Sequence, residues 1–171
     1  MDAAAGVDLL VITLPMKSVQ LLPTDLLKGL SQIPIVVDTC DYYPSFRDGV
    51  IQDIEGGLTE SEWVVQQLRR PVVKAFNNIM APSLANGGLP KGRAGRIALP
   101  VAGADGLAKA QVIELLDEIG FDDLDAGTLH ESWRQQPGTP AYCTDPDAFA
   151  ECFWFWRNHM FTRLARLMTH T

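Results

Sequence analysis

Three stretches hold residue types that could do chemistry. In "DTCDYYP", Asp38 to Pro44, a cysteine stands between two carboxylates. A nucleophilic thiol needs a cation or a helix N-terminus to lower its pKa, and Asp38 and Asp41 would raise it, so Cys40 reads as a small packing residue. "NGGLPKGRAG", Asn86 to Gly95, has Gly87 and Gly92 at the separation of a phosphate loop. Arg93 stands where the lysine is required, and Ala94 where a hydroxyl should hold magnesium. The stretch also leads into a strand rather than a helix, so its amides and dipole would not meet an anion. It reads as a mobile surface excursion. Asp122, Asp123 and Asp125 resemble paired carboxylates, yet they lie in the strand segment "FDDLDAG" and read as a solvated edge. His130, His159 and His170 are too dispersed for a metal or triad pattern.

The elements that must position such groups alternate. Val7 to Leu14, "VDLLVITL", lacks the polar alternation of a half-exposed strand and reads as one buried on both faces. Lys17 to Leu30 has leucines at near-helical spacing, split or restarted at Pro23. "IPIVVDT", Ile33 to Thr39, is a second strand. Leu58 to Leu68 is a helix with Thr59 as N-cap and Glu62 three residues on, a capping box. "PVVKAFN", Pro71 to Asn77, is a third strand, "RIALPVAG", interrupted by Pro100, a fourth, and Phe121 to Gly127 a short fifth. Between the last two lies a helix that Asp105 could cap, with Val112, Leu115, Leu116 and Ile119 on one face and Gly120 at its end. This is an α/β, Rossmann-like, mostly parallel sheet of about five strands with flanking helices. Residues 1–145 form that domain. Residues 146–171 form an aromatic-rich helix with Phe149, Phe153, Trp156 and Met160 in register. Such a stripe is expected against the body or a second subunit; a membrane-surface helix is the lesser alternative.

Composition narrows the function classes. The chain has 171 residues, 47% hydrophobic and 20% charged, with 21 acidic against 14 basic side chains and a net charge of −7. An acidic balance without a basic stripe gives no footprint for nucleic acid, and no run reaches the roughly 18 apolar residues of a membrane span. The three cysteines have no CxxC spacing, which argues against a disulfide framework or zinc site. A cytoplasmic protein with reduced thiols is the expectation.

In open parallel sheets, ligands sit beyond the carboxyl ends of strands. The strand ends, "TLPM", "DTCDYYP", "AFNNI", "PVAG" and "DAG", carry polar groups or glycine. In order, "LLVITLP", "DTCDYYPSFRDG", "KAFNNI", "LPVAG" and "DAGTLHESWRQQPGTP" resemble the later part of the deazaflavin-dependent NADP reductase family, over about Ala5 to Asp145. The resemblance implies a dinucleotide-binding oxidoreductase that passes hydride between NADP(H) and a deazaflavin or flavin-type acceptor. It places Thr13, Leu14 and Pro15 beside the ribose and nicotinamide, Thr39 and Cys40 at the next strand end, and Ala75 and Asn77 near the nicotinamide. Tyr42 and Tyr43 are candidates for the acceptor pocket. It gives no residue a general acid or base role, because the cofactor carries the hydride.

The sequence departs from that family in one respect: there is no GxGxxG, the turn that grips a pyrophosphate. Only six residues precede Val7, so the first strands of the fold are expected to be missing and NADP affinity severely reduced. Val7 to Leu14 then becomes an apolar edge, which invites pairing with another chain. A homo-oligomer through this edge or the C-terminal helix is expected. The alternative function is a non-catalytic, oligomeric remnant acting as an interaction module.

Overall fold

A computed structural model describes residues 4–145, apart from 24, 29, 31, 32 and 105. The C-terminal aromatic helix and the Asp105 cap fall outside the described residues.

The chain alternates strands and helices. Strand β1 (Leu9–Ile12) leads into a single helical turn, α1 (Met16–Val19), and then into β2 (Ile35–Asp38). A turn of π-helix spans Pro44–Asp48, followed by α2 (Gln52–Glu55) and α3 (Glu60–Leu68). Next come β3 (Val73–Lys74), α4 (Ala81–Asn86), β4 (Ala98–Val101), α5 (Leu107–Glu118) and β5 (Asp122–Asp125). A 3₁₀ helix, Leu129–Gln135, carries the chain back over α3.

Several local signals act as the sequence implied. Thr59 Oγ1 accepts from the Glu62 amide at 3.2 Å while Glu62 Oε2 accepts from the Thr59 amide at 2.9 Å, the reciprocal capping box. The helix expected over Lys17 to Leu30 is reduced among the described residues to Met16–Val19, which ends before Pro23, and Leu22, Leu26 and Leu27 pack from turns against the first core. On α5 the buried face is Lys109, Val112 and Leu116, with Ile119 exposed and Leu115 half-buried, so the stripe is rotated from the one expected.

The sheet differs from the expectation of about five strands together. β1, β2 and β3 form one parallel sheet in that order, and β4 and β5 form a second parallel pair. A single antiparallel bridge, Lys74 to Ala102, joins them. The cause is local. The next ladder pair along this bridge would be Phe76 with Pro100. Pro100 has no N–H to donate, and Phe76 has φ +63°, outside strand geometry. Pro100 is tolerated in β4 because its neighbours bond the other way: the Asp122 amide donates to Ile97 O and the Ala126 amide to Val101 O.

Two apolar layers sandwich the three-stranded sheet. On one face Ile12, Val36, Trp63 and Val64 bury against each other; on the other Val37, Val73, Leu99, Val112, Leu116 and Phe121 do. The alternation of Val36 and Val37 between layers follows from the two-residue period of a strand. The glycine-rich stretch after α4 is docked rather than loose. The Leu89 amide donates to Gly120 O at 2.9 Å, and a Cβ at Gly120 would stand 2.7 Å from Gly88 Cα. Two of the three aspartates of β5 are likewise engaged, Asp122 with Arg96 and Asp125 with Lys109.

Candidate functional site

β1, β2 and β3 are parallel, so their carboxyl ends open on one side of the sheet. Thr13 and Thr39, one residue past β1 and β2, meet there through their hydroxyls at 2.9 Å. Thr39 is fixed further by its amide and hydroxyl, which both donate to Ile12 O. The Ala75 amide donates to Asp38 O, which brings the end of β3 alongside. Asp48 ties the two loops together: its carboxylate accepts from the Lys17 amide at 3.2 Å and the Tyr43 amide at 2.8 Å. Although burial acts against its charge, Arg47 and those amides hold Asp48 below the usual carboxylate range. Pro15 O accepts from the Ser18 amide, and Leu14 packs against the first core.

The other two strand ends lie elsewhere. Because β4 runs antiparallel to β3, "PVAG" and "DAG" finish at the opposite side of the sheet, where the Gly103 amide donates to Gly127 O. The rim is therefore built from three strand ends, not four or five.

Beneath it lies a buried ionic cluster. Lys74 Nζ lies 3.5 Å from Asp38 Oδ2 and 3.8 Å from Glu60 Oε2, and donates to Cys40 O. Asp38 also accepts from Ser61 Oγ at 2.6 Å and from the Cys40 amide at 2.9 Å. Glu60 Oε2 has no hydrogen-bond partner, and burial pushes its pKa up to about 8. Lys74 is fully buried, which opposes its charge, but Asp38, Glu60 and Asp41 outweigh that and hold it protonated. Burial, then Asp38, pushes the Cys40 thiol up to about 12, so it is no nucleophile.

Between cluster and rim, Asp41 is held by Asn77 Nδ2 at 3.0 Å and by Tyr142 Oη at 2.8 Å. Tyr142 Oη in turn lies 2.6 Å from Tyr43 Oη. Asn77 also donates to Gln135 O, while its own Oδ1 is buried without a partner. Of the residues singled out from sequence, Thr13 thus meets Thr39, while Asn77 and Tyr43 are joined through Asp41 and Tyr142. Tyr42 turns away, with its hydroxyl donating to Glu55 and accepting from the Ile51 amide, and Cys40 and Ala75 are buried behind the rim. Sequence reasoning gave no role to Glu60, Lys74 or Tyr142. The one signal was Lys74, a cation in an otherwise apolar strand. A separate cavity of about 270 Å³, on the α3 face, is lined by Leu10, Ile12, Val36, Leu68 and Arg69 and shares no rim side chain.

No protein-family model matches the sequence. The Escherichia coli K12 protein designated "Putative protein YjhV" is 41% identical over 80 residues, 47% of this chain and 51% of that protein. The chain thus spans about half the length of this curated relative. Among solved structures, a hypothetical protein, SMa0349, from Sinorhizobium meliloti superimposes with a TM-score of 0.63 at 30% identity, over 82% of this chain and 67% of that one. A protein from Arthrobacter described as a "putative F420-dependent NADP reductase" gives 0.56 at 26% identity, over 78% and 60%.

Proposed function

We propose, from the premise that this chain belongs to the same Rossmann-like family as the Sinorhizobium meliloti protein, that it is an NADP-dependent oxidoreductase passing hydride between NADP(H) and a deazaflavin or flavin-type acceptor. The observation that carries the reading is the convergence of three parallel strand ends on the Thr13 and Thr39 hydroxyls. Ligands of open parallel sheets lie beyond such ends. A nicotinamide cofactor, when bound, supplies the hydride; the protein's part is to position and to exclude water.

The residues present fit one half of a dinucleotide. Hydroxyls at Thr13 and Thr39 match ribose hydroxyls, which donate and accept alike. Asn77 Oδ1, a buried acceptor without a partner, matches a carboxamide N–H. Leu14 and Pro15 would flank the ring. The sequence has no GxGxxG, and the turn from β4 into α5, which carries Gly103 and Gly106, leaves from the side of the sheet opposite the rim, so a pyrophosphate finds no such grip beside Thr13 and Thr39. A deazaflavin or flavin-type acceptor would lie against Tyr43. The test is NADPH oxidation followed at 340 nm with a deazaflavin or flavin acceptor. Saturable turnover supports the reading, and no saturable binding of NADPH removes it.

A non-catalytic, oligomeric interaction module is the second reading, and one observation favours it. Among the described residues β1 pairs on one side only, with Val11 47% exposed on it. Unpaired strand edges recruit other strands, and charge blunts them. Sedimentation equilibrium should then show a dimer that Val11→Lys dissociates; a monomer in both proteins rejects this reading.

A further inference from the structure

Tyr43, Tyr142 and Asp41 form a continuous chain of hydrogen bonds, Tyr43 Oη to Tyr142 Oη at 2.6 Å and Tyr142 Oη to Asp41 Oδ2 at 2.8 Å. The three come from two segments about 100 residues apart in sequence, so the chain is a product of the fold. Its inner end, half-buried Asp41, lies within the field of Lys74, Asp38 and Glu60, and its outer end, half-buried Tyr43, is on the loop that follows β2 at the rim.

The direction of such a chain is set by one proton. With Asp41 ionised, Tyr142 donates inward to Asp41 and Tyr43 donates to Tyr142, so Tyr43 presents only lone pairs outward. With Asp41 protonated, every bond reverses: Asp41 donates to Tyr142, Tyr142 to Tyr43, and the Tyr43 O–H points out. Asp38 and Glu60 lie within 4 Å of the single ammonium of Lys74, and burial raises Asp41 above its ordinary range, which extends the second arrangement to higher pH than an ordinary carboxylate allows. Among the described residues, Arg47, whose guanidinium donates to Asp41 O, and Cys143 also act on it. Arg47 also lies 5.0 Å from the Tyr43 ring centroid and fixes the ring.

We infer that Asp41, Tyr142 and Tyr43 are a proton relay, with Tyr43 delivering the proton that an acceptor needs when it takes a hydride. This rests on the oxidoreductase reading above. As the reduced nicotinamide gives two electrons and a hydrogen to an acceptor carbon, the displaced pair settles on an acceptor oxygen or ring nitrogen. That atom takes the Tyr43 proton; Tyr142 replaces it, and Asp41 replaces the proton of Tyr142. Asp41 ends as a carboxylate near Lys74 and regains its proton from solvent. Tyr43 is the catalytic residue; Tyr142 and Asp41 act through it.

Two measurements test this. The chain has three tyrosines, Tyr42, Tyr43 and Tyr142, so phenolate absorbance at 295 nm reports the relay without any cofactor. Burial and the bonds to Tyr43 and Asp41 raise Tyr142 above the ordinary phenol range. Asp41→Asn should shift the titration to lower pH, and superimposable curves would overturn the relay. In turnover, Tyr43→Phe should lower kcat about 100-fold with KM for NADPH unchanged. Asp41→Asn keeps an outward hydrogen bond but holds no transferable proton, so it should lower kcat and abolish the fall of rate with rising pH seen in the parent. Unaltered kcat and pH profile in both variants overturn the relay alone. A coupled phenolate titration without any NADPH oxidation overturns the oxidoreductase reading and, with it, the catalytic use of the relay.

Discussion

Lys74 Nζ lies 3.5 Å from Asp38 Oδ2, and both side chains are completely buried. The pair joins the ends of β2 and β3 and, through Lys74 and Cys40 O, the loop that carries Asp41. Removing one partner of a buried pair leaves a charge without compensation, which costs more than the pair contributes. Lys74→Met should therefore destabilise the fold by about 3–5 kcal/mol in urea titration. A loss near zero would show that the cluster is not what holds the strand ends.

Glu60 gives a pH dependence whose sign follows from burial. Its pKa stands at about 8 in the folded chain against 4.5 for an ordinary glutamate. As pH rises from the lower value to the higher, the unfolded chain releases a proton that the native state keeps, so native stability falls across that window. Above it the loss is complete. Glu60→Gln has no proton to lose, so the stability difference between variant and parent should grow by about 2–4 kcal/mol between pH 5 and pH 8 and then level off. A difference that does not change with pH would contradict the assignment.

Gly120 has φ +98°, and a Cβ added there would stand 2.7 Å from the backbone of Gly88 and Leu89. A side chain there meets both a strained dihedral and an immovable neighbour. Gly120→Ala should cost at least about 2 kcal/mol and speed hydrogen exchange at the Leu89 amide. Gly92, at φ +80° with nothing within 4 Å, separates the two terms: Gly92→Ala should cost only about 1 kcal/mol. Equal losses at both positions would argue against docking of the loop on Gly120.

The parts legible in sequence are those with local signals. The capping box at Thr59 and Glu62, the apolar runs of β1 and β2 and the stop at Gly120 depend on neighbours a few residues away. The division of the sheet was not legible, because it needs Pro100 set opposite Phe76 in a ladder that no local pattern announces. The direction of β4 followed from the same pairing, and it removed two strand ends from the rim. Asp41 was weighed only as a neighbour of Cys40, since its partners Asn77 and Tyr142 are 36 and 101 residues away. Lys74 was visible as an odd residue in its strand, but the carboxylates that make it tolerable come from β2 and α3. The glycine-rich stretch read as loose because its composition is that of a mobile loop; its docking depends on Gly120, distant in sequence.

The account stands most directly on where a nicotinamide ligand binds. In a 15N-resolved NMR titration with NADPH and with reduced nicotinamide mononucleotide, both should perturb Thr13, Thr39 and Asn77. Their affinities should agree within about threefold, because the sequence has no GxGxxG turn to hold the pyrophosphate of the adenosine half. The double variant Thr13→Val, Thr39→Val should weaken both by about tenfold, the effect of roughly 1.4 kcal/mol. Shifts centred instead on Leu68 to Arg70 at the α3-face cavity, or no saturable shifts at all, would contradict the claim that the three strand ends form a cofactor rim.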